Sequence, residues 1–212
     1  IANLPTDEVP PFLFYYSGMV AWILFQSSVV KVSDIFFNYS HFMRNIYVPK
    51  ICFPIAVILE NIYFFAINVS AFFLIYFYFS FSGHQINFNF PLVIFFPFVI
   101  VYTSIVGMII GLFTALLSAK FRDLRFIVQN GMQIFFYGTP IVYSLNSIPE
   151  KFHFIFFLNP VVFSIDYFRN LFFSVSNTSL LFLFSSFIIT LIFLIITYII
   201  FNKTSGNLVD NV

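Results

Sequence analysis

From residue 11 to residue 201 the chain is a succession of long apolar runs separated by short polar interruptions. Five runs, roughly 11–32, 53–80, 91–119, 126–145 and 178–201, reach the length of about 20 residues that a helix needs to cross a bilayer core. A sixth stretch, about 152–173, is cut by Asn159-Pro160, Asp166 and Arg169 and reads as a broken or re-entrant element. A membrane barrel would alternate polar and apolar positions over strands of about 10 residues. Runs such as LVIFFPFVIVYTSIVGMIIGLFTALL do not alternate. The pattern therefore predicts an all-α integral membrane protein with five transmembrane helices, occupying residues 1–212 as a single domain.

The polar interruptions orient these helices. Lys31, Arg44 and Lys50 fall between the first and second spans, Lys120, Arg122 and Arg125 between the third and fourth, and Lys203 after the last. The other connections hold Lys151 and Arg169, beside Asp7, Glu8, Glu150 and Asp166. Seven of the nine basic residues thus lie on one side, which the positive-inside rule makes cytoplasmic. Five spans ending inside place residue 1 outside. The expectation is a six-helix parent protein whose first helix precedes Ile1. The opening IANLPTDEVPP has the pattern of neither a signal nor a transit peptide.

Composition narrows the class. The chain is 61% hydrophobic, 24% aromatic and 8% charged, against roughly 25% charged in a soluble domain. Polar side chains are too few to cover a water-soluble globule. A net charge of +1 argues against a nucleic-acid binder, which needs a concentrated basic face. One cysteine, Cys52, excludes an internal disulfide and a multi-cysteine metal site, and it reads as a small apolar core residue. His41, His84 and His153 have no metal-ligand spacing. Neither a GxxxxGK[ST] phosphate loop nor a GxSxG elbow is present. Taken together these absences argue against a self-contained enzyme.

A few residues invite function. Thr103, Gly107, Gly111, Ala115 and Ala119 form a small-residue stripe along one helix face, suited to helix packing within the chain or between subunits. Glu60 is a carboxylate inside an apolar span. Such a group faces protein or water, as a bond to a neighbouring helix, a polar group on a translocation path or a proton relay. Phe and Tyr can stack on sugar rings, although 37 phenylalanines are first of all lipid and core contacts. The segment HFMRNIYVPKICFP, residues 41–54, sets Arg44, Lys50 and two prolines five residues apart amid apolar sequence.

Two stretches carry a family resemblance. One is residues 119–160, AKFRDLRFIVQNGMQIFFYGTPIVYSLNSIPEKFHFIFFLNP, followed by Arg169 in DYFRNLFF; the other is HFMRNIYVPKICFP. They resemble permease subunits of type 2 ATP-binding-cassette exporters, in the branch that moves O-antigen, capsular polysaccharide or teichoic acid. The family's aromatic-Arg-Asp motif is matched by Phe121, Arg122 and Asp123, and its Thr/Ser-Pro-Ile-x-Tyr by Thr139, Pro140, Ile141 and Tyr143. Ile148, Pro149 and Glu150 follow, then Asn159 and Pro160, then Arg169. The family's cytoplasmic loop corresponds to Phe42 through Pro54, with Asn45 in place of a usual lysine and Val48 in place of a usual phenylalanine. The likeness runs from Leu4 to about Phe201, and the family's N-terminal interface helix and first transmembrane helix have no counterpart.

The resemblance implies a homodimeric channel in the bacterial inner membrane, partnered by separate ATPase subunits that bind ATP and Mg, with no cofactor in this chain. Residues 34–50 would be the coupling helix, with Phe42, Arg44, Asn45, Tyr47, Pro49 and Lys50 at the ATPase interface; the alternative is positive-inside anchoring. Arg122, Asp123 and Arg125 would touch the ATPase or form a local ion pair capping the next helix. Short re-entrant gate helices would precede the last span, with Thr139, Pro140, Tyr143, Pro149, Asn159, Pro160 and Arg169 lining an external gate or substrate path, or serving as folding corners. The substrate implied is a lipid-linked glycan, with drug or haem-like small-molecule export as the alternative. A membrane-embedded glycosyl- or phosphotransferase would need clustered acids, and Asp34, Asp123 and Asp210 are dispersed.

Overall fold

The computed structural model describes residues 9–82, 90–144, 148–149, 151, 159–174 and 180–209, and these fold as helices joined by short connections, with no strand among the described residues. Helix α1 is Pro11–Ser33, and two short helices follow, α2 Ile35–Asn38 and α3 Ser40–Asn45. Next come α4 Cys52–Phe81, a 3₁₀ turn Phe90–Phe95 and α5 Phe96–Lys120. The chain continues through α6 Leu124–Tyr137, α7 Pro160–Phe173 and α8 Leu180–Val209. Proline stands in the first turn of α1, α5 and α7, where its missing N–H leaves no hydrogen bond unmade.

Four described helices are long and apolar enough to cross a membrane: Pro11–Ser33, Cys52–Phe81, Leu92–Lys120 and Ser186–Ser205. The span expected over 126–145 comes out differently. Helix α6 has 14 residues and stops at Gly138, which at 1.5 Å per residue is about 21 Å, short of a bilayer core. The cause is local: the residue before Pro140 is pushed away from helical geometry, so the apolar Ile141 and Val142 beyond it do not extend the helix. The broken element expected over 152–173 contains α7, and residues 152–158 lie outside those described.

Helix α1 is the hub. Most of it is buried, against α5, α4, α7 and α6 in turn, whereas α4 and α8 expose most of their length. The small-residue stripe explains how closely α5 approaches. A Cβ added at Gly107 would lie 2.6 Å from Ser28 Cβ, and one at Gly111 2.6 Å from Val32 Cβ. The stripe thus faces α1 of the same chain, and Thr103 continues it by donating to Ser164 Oγ of α7 at 2.6 Å. Helix association in lipid has no hydrophobic drive and depends on such close packing.

Aromatics lock the other end of the bundle. Phe72 of α4 lies edge-on to Phe172 and Phe168 of α7, at 4.7 and 5.2 Å between centroids, and stacks on Tyr16 of α1 at 6.3 Å. Every residue of α7 from Val161 to Phe173 except Asp166 is buried. The outward faces of α4 and α8, by contrast, carry Leu59, Tyr63, Leu74, Ile188, Ile192 and Ile199 exposed, as lipid-facing helices do. Cys52 departs from its expected place in the core: it is exposed, standing at the first position of α4 just after the exposed 46–49 segment.

Replacing Gly111 with Ala should destabilise the fold by about 1–3 kcal/mol, the usual effect of forcing a methyl into a filled contact. Gly131→Ala, where nothing lies within 4 Å of the new methyl, should be neutral or stabilising by up to about 1 kcal/mol from helix propensity. Thermal unfolding of both variants in detergent checks this, and equal effects would count against the α1–α5 contact.

Candidate functional site

Polar groups gather at the two ends of the bundle. At the basic end α1 stops at Ser33, and the chain turns through Asp34 into α2 and α3. Ile35, Phe36 and Met43 are buried and pin this segment down, Phe36 stacking on Phe201 of α8 at 5.7 Å. The side chains between these anchors face outward. Phe42, Arg44, Asn45, Ile46, Tyr47, Val48 and Pro49 are exposed, and Tyr47 stands fully clear of the protein. Asn45 Nδ2 lies 3.0 Å from His41 Nε2, one helical turn back. Lys50 is half-buried and donates to the carbonyl of Ser205 in the last turns of α8, at 3.0 Å. A cavity of about 570 Å³ opens here, walled by Arg44, Tyr47 and Lys50 on one side and Asn202 and Ser205 on the other.

The second basic loop packs on the same platform. Arg122 and Arg125 lie over the ring of Phe37 in α2, at 5.8 and 5.2 Å from its centre, and Arg125 also lies 5.1 Å from that of Phe126. Asp34 is buried beneath them and accepts a 3.4 Å hydrogen bond from Gln129 Nε2 of α6. Burial pushes the Asp34 carboxyl above its ordinary value, while the Arg125 charge and the Gln129 bond pull it down by less. Asp123 is exposed and its side chain caps nothing at the start of α6. The two arginines therefore join α6 to α2 through Phe37, a link the sequence spacing could not show.

Glu60, in the first third of α4, accepts a hydrogen bond from Lys31 of α1 at 2.7 Å, both side chains being roughly half-exposed. Lys31 also lies 5.1 Å from the Phe64 ring centre. A bond between neighbouring helices, one of the three roles open to this carboxylate, is present.

At the opposite end the structure draws several expected residues into one network. Thr139 Oγ1 donates to the Phe135 carbonyl at 2.9 Å and accepts from Asn159 Nδ2 at 3.0 Å. Asn159 Oδ1 in turn caps α7 by accepting from the Val161 N–H at 3.1 Å. Tyr102 of α5 donates to the Pro160 carbonyl at 3.2 Å. Arg169, 5% exposed, reaches back from α7 to the carbonyls of Pro140 at 2.8 Å, Ile141, Tyr143 at 3.4 Å and Phe14 at 3.5 Å. Its guanidinium also sits 3.7 Å from the centre of the Phe14 ring. Thr139, Pro140 and Ile141 are buried, Tyr143 is half-buried and Pro149 is exposed.

Sequence reasoning missed four contributors. Phe14 and Gly18 of α1 form the seat of Arg169, and Gly18 is the one glycine in α1. Asn130 and Gln133 stand exposed on α6 in line with Phe126 and Tyr137, a helical spacing that was readable as a polar stripe.

An all-helical bundle with spans of membrane length, a basic platform at one end and a braced chain break at the other defines a multi-pass membrane protein. No family model matches the chain. It is similar to two O-antigen export system permease proteins RfbA of Klebsiella pneumoniae, each 28% identical, over 169 and 168 residues, or 78% of this chain and 62% of the relative. A further RfbA, of Myxococcus xanthus, is 23% identical over 146 residues, 68% of this chain and 54% of that protein. The chain thus spans less than two thirds of the length of the curated relatives it matches. These relatives support the resemblance to O-antigen exporter permeases drawn from the two motif-bearing stretches.

The Asp34 carboxyl gives a testable pH dependence. A carboxylate whose folded value is raised leaves the folded state binding more protons, so its burden on stability is absent below the ordinary value of 3.8 and grows as pH rises past it. Asp34→Asn should flatten that decline, with the variant gaining on the parent as pH is raised. Melting temperatures in detergent across this range check it, and parallel curves would show that the carboxyl does not titrate abnormally.

Proposed function

We propose that this chain is the channel-forming membrane subunit of an ATP-binding-cassette exporter that moves a lipid-linked polysaccharide, such as O-antigen, capsule or teichoic acid, outward across a bacterial inner membrane. The observation that carries this reading is the basic platform at one end of an apolar bundle, in a chain similar to O-antigen export permeases. The names of the relatives favour a glycan over a small-molecule drug as cargo. ATP and Mg belong to a separate ATPase subunit.

The chemistry of the platform suits a protein partner. Tyr47 projects freely beside Phe42, Arg44 and Val48, the aromatic and Arg-rich surface that interfaces favour. Its base is not loose: Phe36, Met43 and the Lys50–Ser205 bond tie it to α1 and α8. A force applied at Tyr47 therefore reaches the long helices. Arg122 and Arg125, stacked on Phe37, pass the same displacement to α6.

Homodimerisation has its own support. Only Met132 of α6 is buried, and the exposed face carries Asn130, Gln133 and Tyr137 between apolar residues. Polar side chains on a membrane helix require protein or water against them. A second copy facing α6 across a hydrated path would supply both, and its aromatics would offer stacking faces to sugar rings.

The test is to assemble the permease with its ATPase in proteoliposomes and change Tyr47 and Lys50 to Ala. Export should fall at least about tenfold, equivalent to some 1.4 kcal/mol of lost coupling, while basal ATP hydrolysis continues. Export and assembly that match the parent would sink the coupling assignment.

A further inference from the structure

The chain break between α6 and α7 is held against α1 by one side chain. Arg169 donates to the carbonyls of Pro140, Ile141 and Tyr143 beyond the break and to that of Phe14 in α1. The guanidinium fits because α1 has no side chain at position 18. A Cβ there would lie 2.8 Å from Arg169 Nη2, 3.1 Å from the Ile141 carbonyl and 3.2 Å from Ile141 Cγ2. Thus Gly18 and Arg169 occupy one space from opposite sides, with the broken segment between them.

A substrate ligand would offer its donors to a passage. Arg169 is 5% exposed and directs its two terminal nitrogens at backbone carbonyls instead. We propose that Gly18 and Arg169 form a matched latch that clamps the 140–144 segment onto α1, and that Arg169 is a positioning residue whose release opens this end of the bundle. This rests on the exporter reading above, in which that end is the external gate. The strength of the latch follows from geometry. One guanidinium satisfies carbonyls that have left a helix, and breaking it exposes all of them together. Lysine, a point charge with no planar fork, could serve only part of the set.

The fold supplies its own reporters. Ser144, 3% exposed, lies in the clamped segment, and cysteine is close to it in size. Cys52 is the chain's one cysteine and is changed to Ser to clear the background. Trp22 is its one tryptophan, 2% exposed, and reports on the global fold by fluorescence. In Cys52→Ser/Ser144→Cys permease, labelling by a charged water-soluble maleimide should be slow. Arg169→Gln should accelerate it about tenfold or more by local opening, with Trp22 melting still cooperative, and Arg169→Lys should fall between. Gly18→Ala should also accelerate labelling in the parent but by a smaller factor in the Arg169→Gln background, because the nearest atom it crowds, Arg169 Nη2, is gone while those of Ile141 remain.

Unchanged labelling in Arg169→Gln overturns the latch, as does Gly18→Ala acting by the same factor in both backgrounds. Should Arg169→Gln fail to fold, Gly18→Ala and Arg169→Lys carry the same readout. A final arm adds ATP to the latched permease assembled with its ATPase, where labelling should rise during turnover. Acceleration by Arg169→Gln without any ATP response would uphold the latch and count against the exporter reading, so the two fail separately.

Discussion

Backbone carbonyls that leave a helix inside a bilayer find no water, and each unsatisfied group is destabilising by roughly 2 kcal/mol or more. At the end of α6 this chain creates several at once, because Gly138, Thr139 and Pro140 stop the helix short of the bilayer thickness. Arg169 answers with one planar group that serves Pro140, Ile141 and Tyr143. Much else at this end follows from placing that arginine. Helix α7 must be buried to carry it, hence the aromatic wall of Phe72, Phe168 and Phe172. Helix α1 must lack a side chain at position 18 to admit it. The Phe14 ring, 3.7 Å from the guanidinium, offers a face to the charge.

The same helix, α1, meets the basic end. It runs from Phe14 and Gly18 at the latch to Lys31 and Asp34 beside the platform, and along the way α5 lies on it at glycine-limited distance. Helix α6 runs parallel in role: Arg125 and Gln129 bind it to Phe37 and Asp34, and Thr139 at its far end meets Asn159 of α7. Two stiff elements therefore connect the platform to the chain break. Packed helices transmit displacement because their contacts are close-packed and cannot deform gradually. A coupling claim requires an element with two arrangements, and the latched segment is the element this structure offers.

What the sequence disclosed depends on the range of the physics involved. Helices α1, α4, α5 and α8 were legible because charge or proline ends each apolar run, and their bounds agree within a few residues at most ends. The stop in α6 was not, since hydropathy reads Ile141 and Val142 as a continuation and gives Pro140 no weight. Thr139, Asn159 and Arg169 were legible as candidates through their motif order, but their partners were not. A guanidinium reaching a carbonyl 155 positions away leaves no mark on local pattern. Cys52 was misplaced for a related reason: its residue type favours burial, while its address at the exposed start of α4 decides otherwise.

The unburied face of α6 bears on how such a subunit could carry a polar cargo. A 14-residue helix exposing Asn130, Gln133 and Tyr137 is a poor lipid-facing surface, and although Met132 is its one buried residue, Phe135 and Phe136 pack on Trp22 of α1 at 5.9 and 5.7 Å between ring centroids. The helix is held along one face by these rings as well as at its ends, so its polar face keeps one direction. Its ends are the Phe37 stack on one side and the Arg169-braced break on the other. Under the exporter reading, a polar face held in one direction suits a wall of a hydrated passage for a chain of sugars. The shortness of α6, which first registers as a missing span, is then what leaves room beyond Gly138 for the braced 139–144 segment.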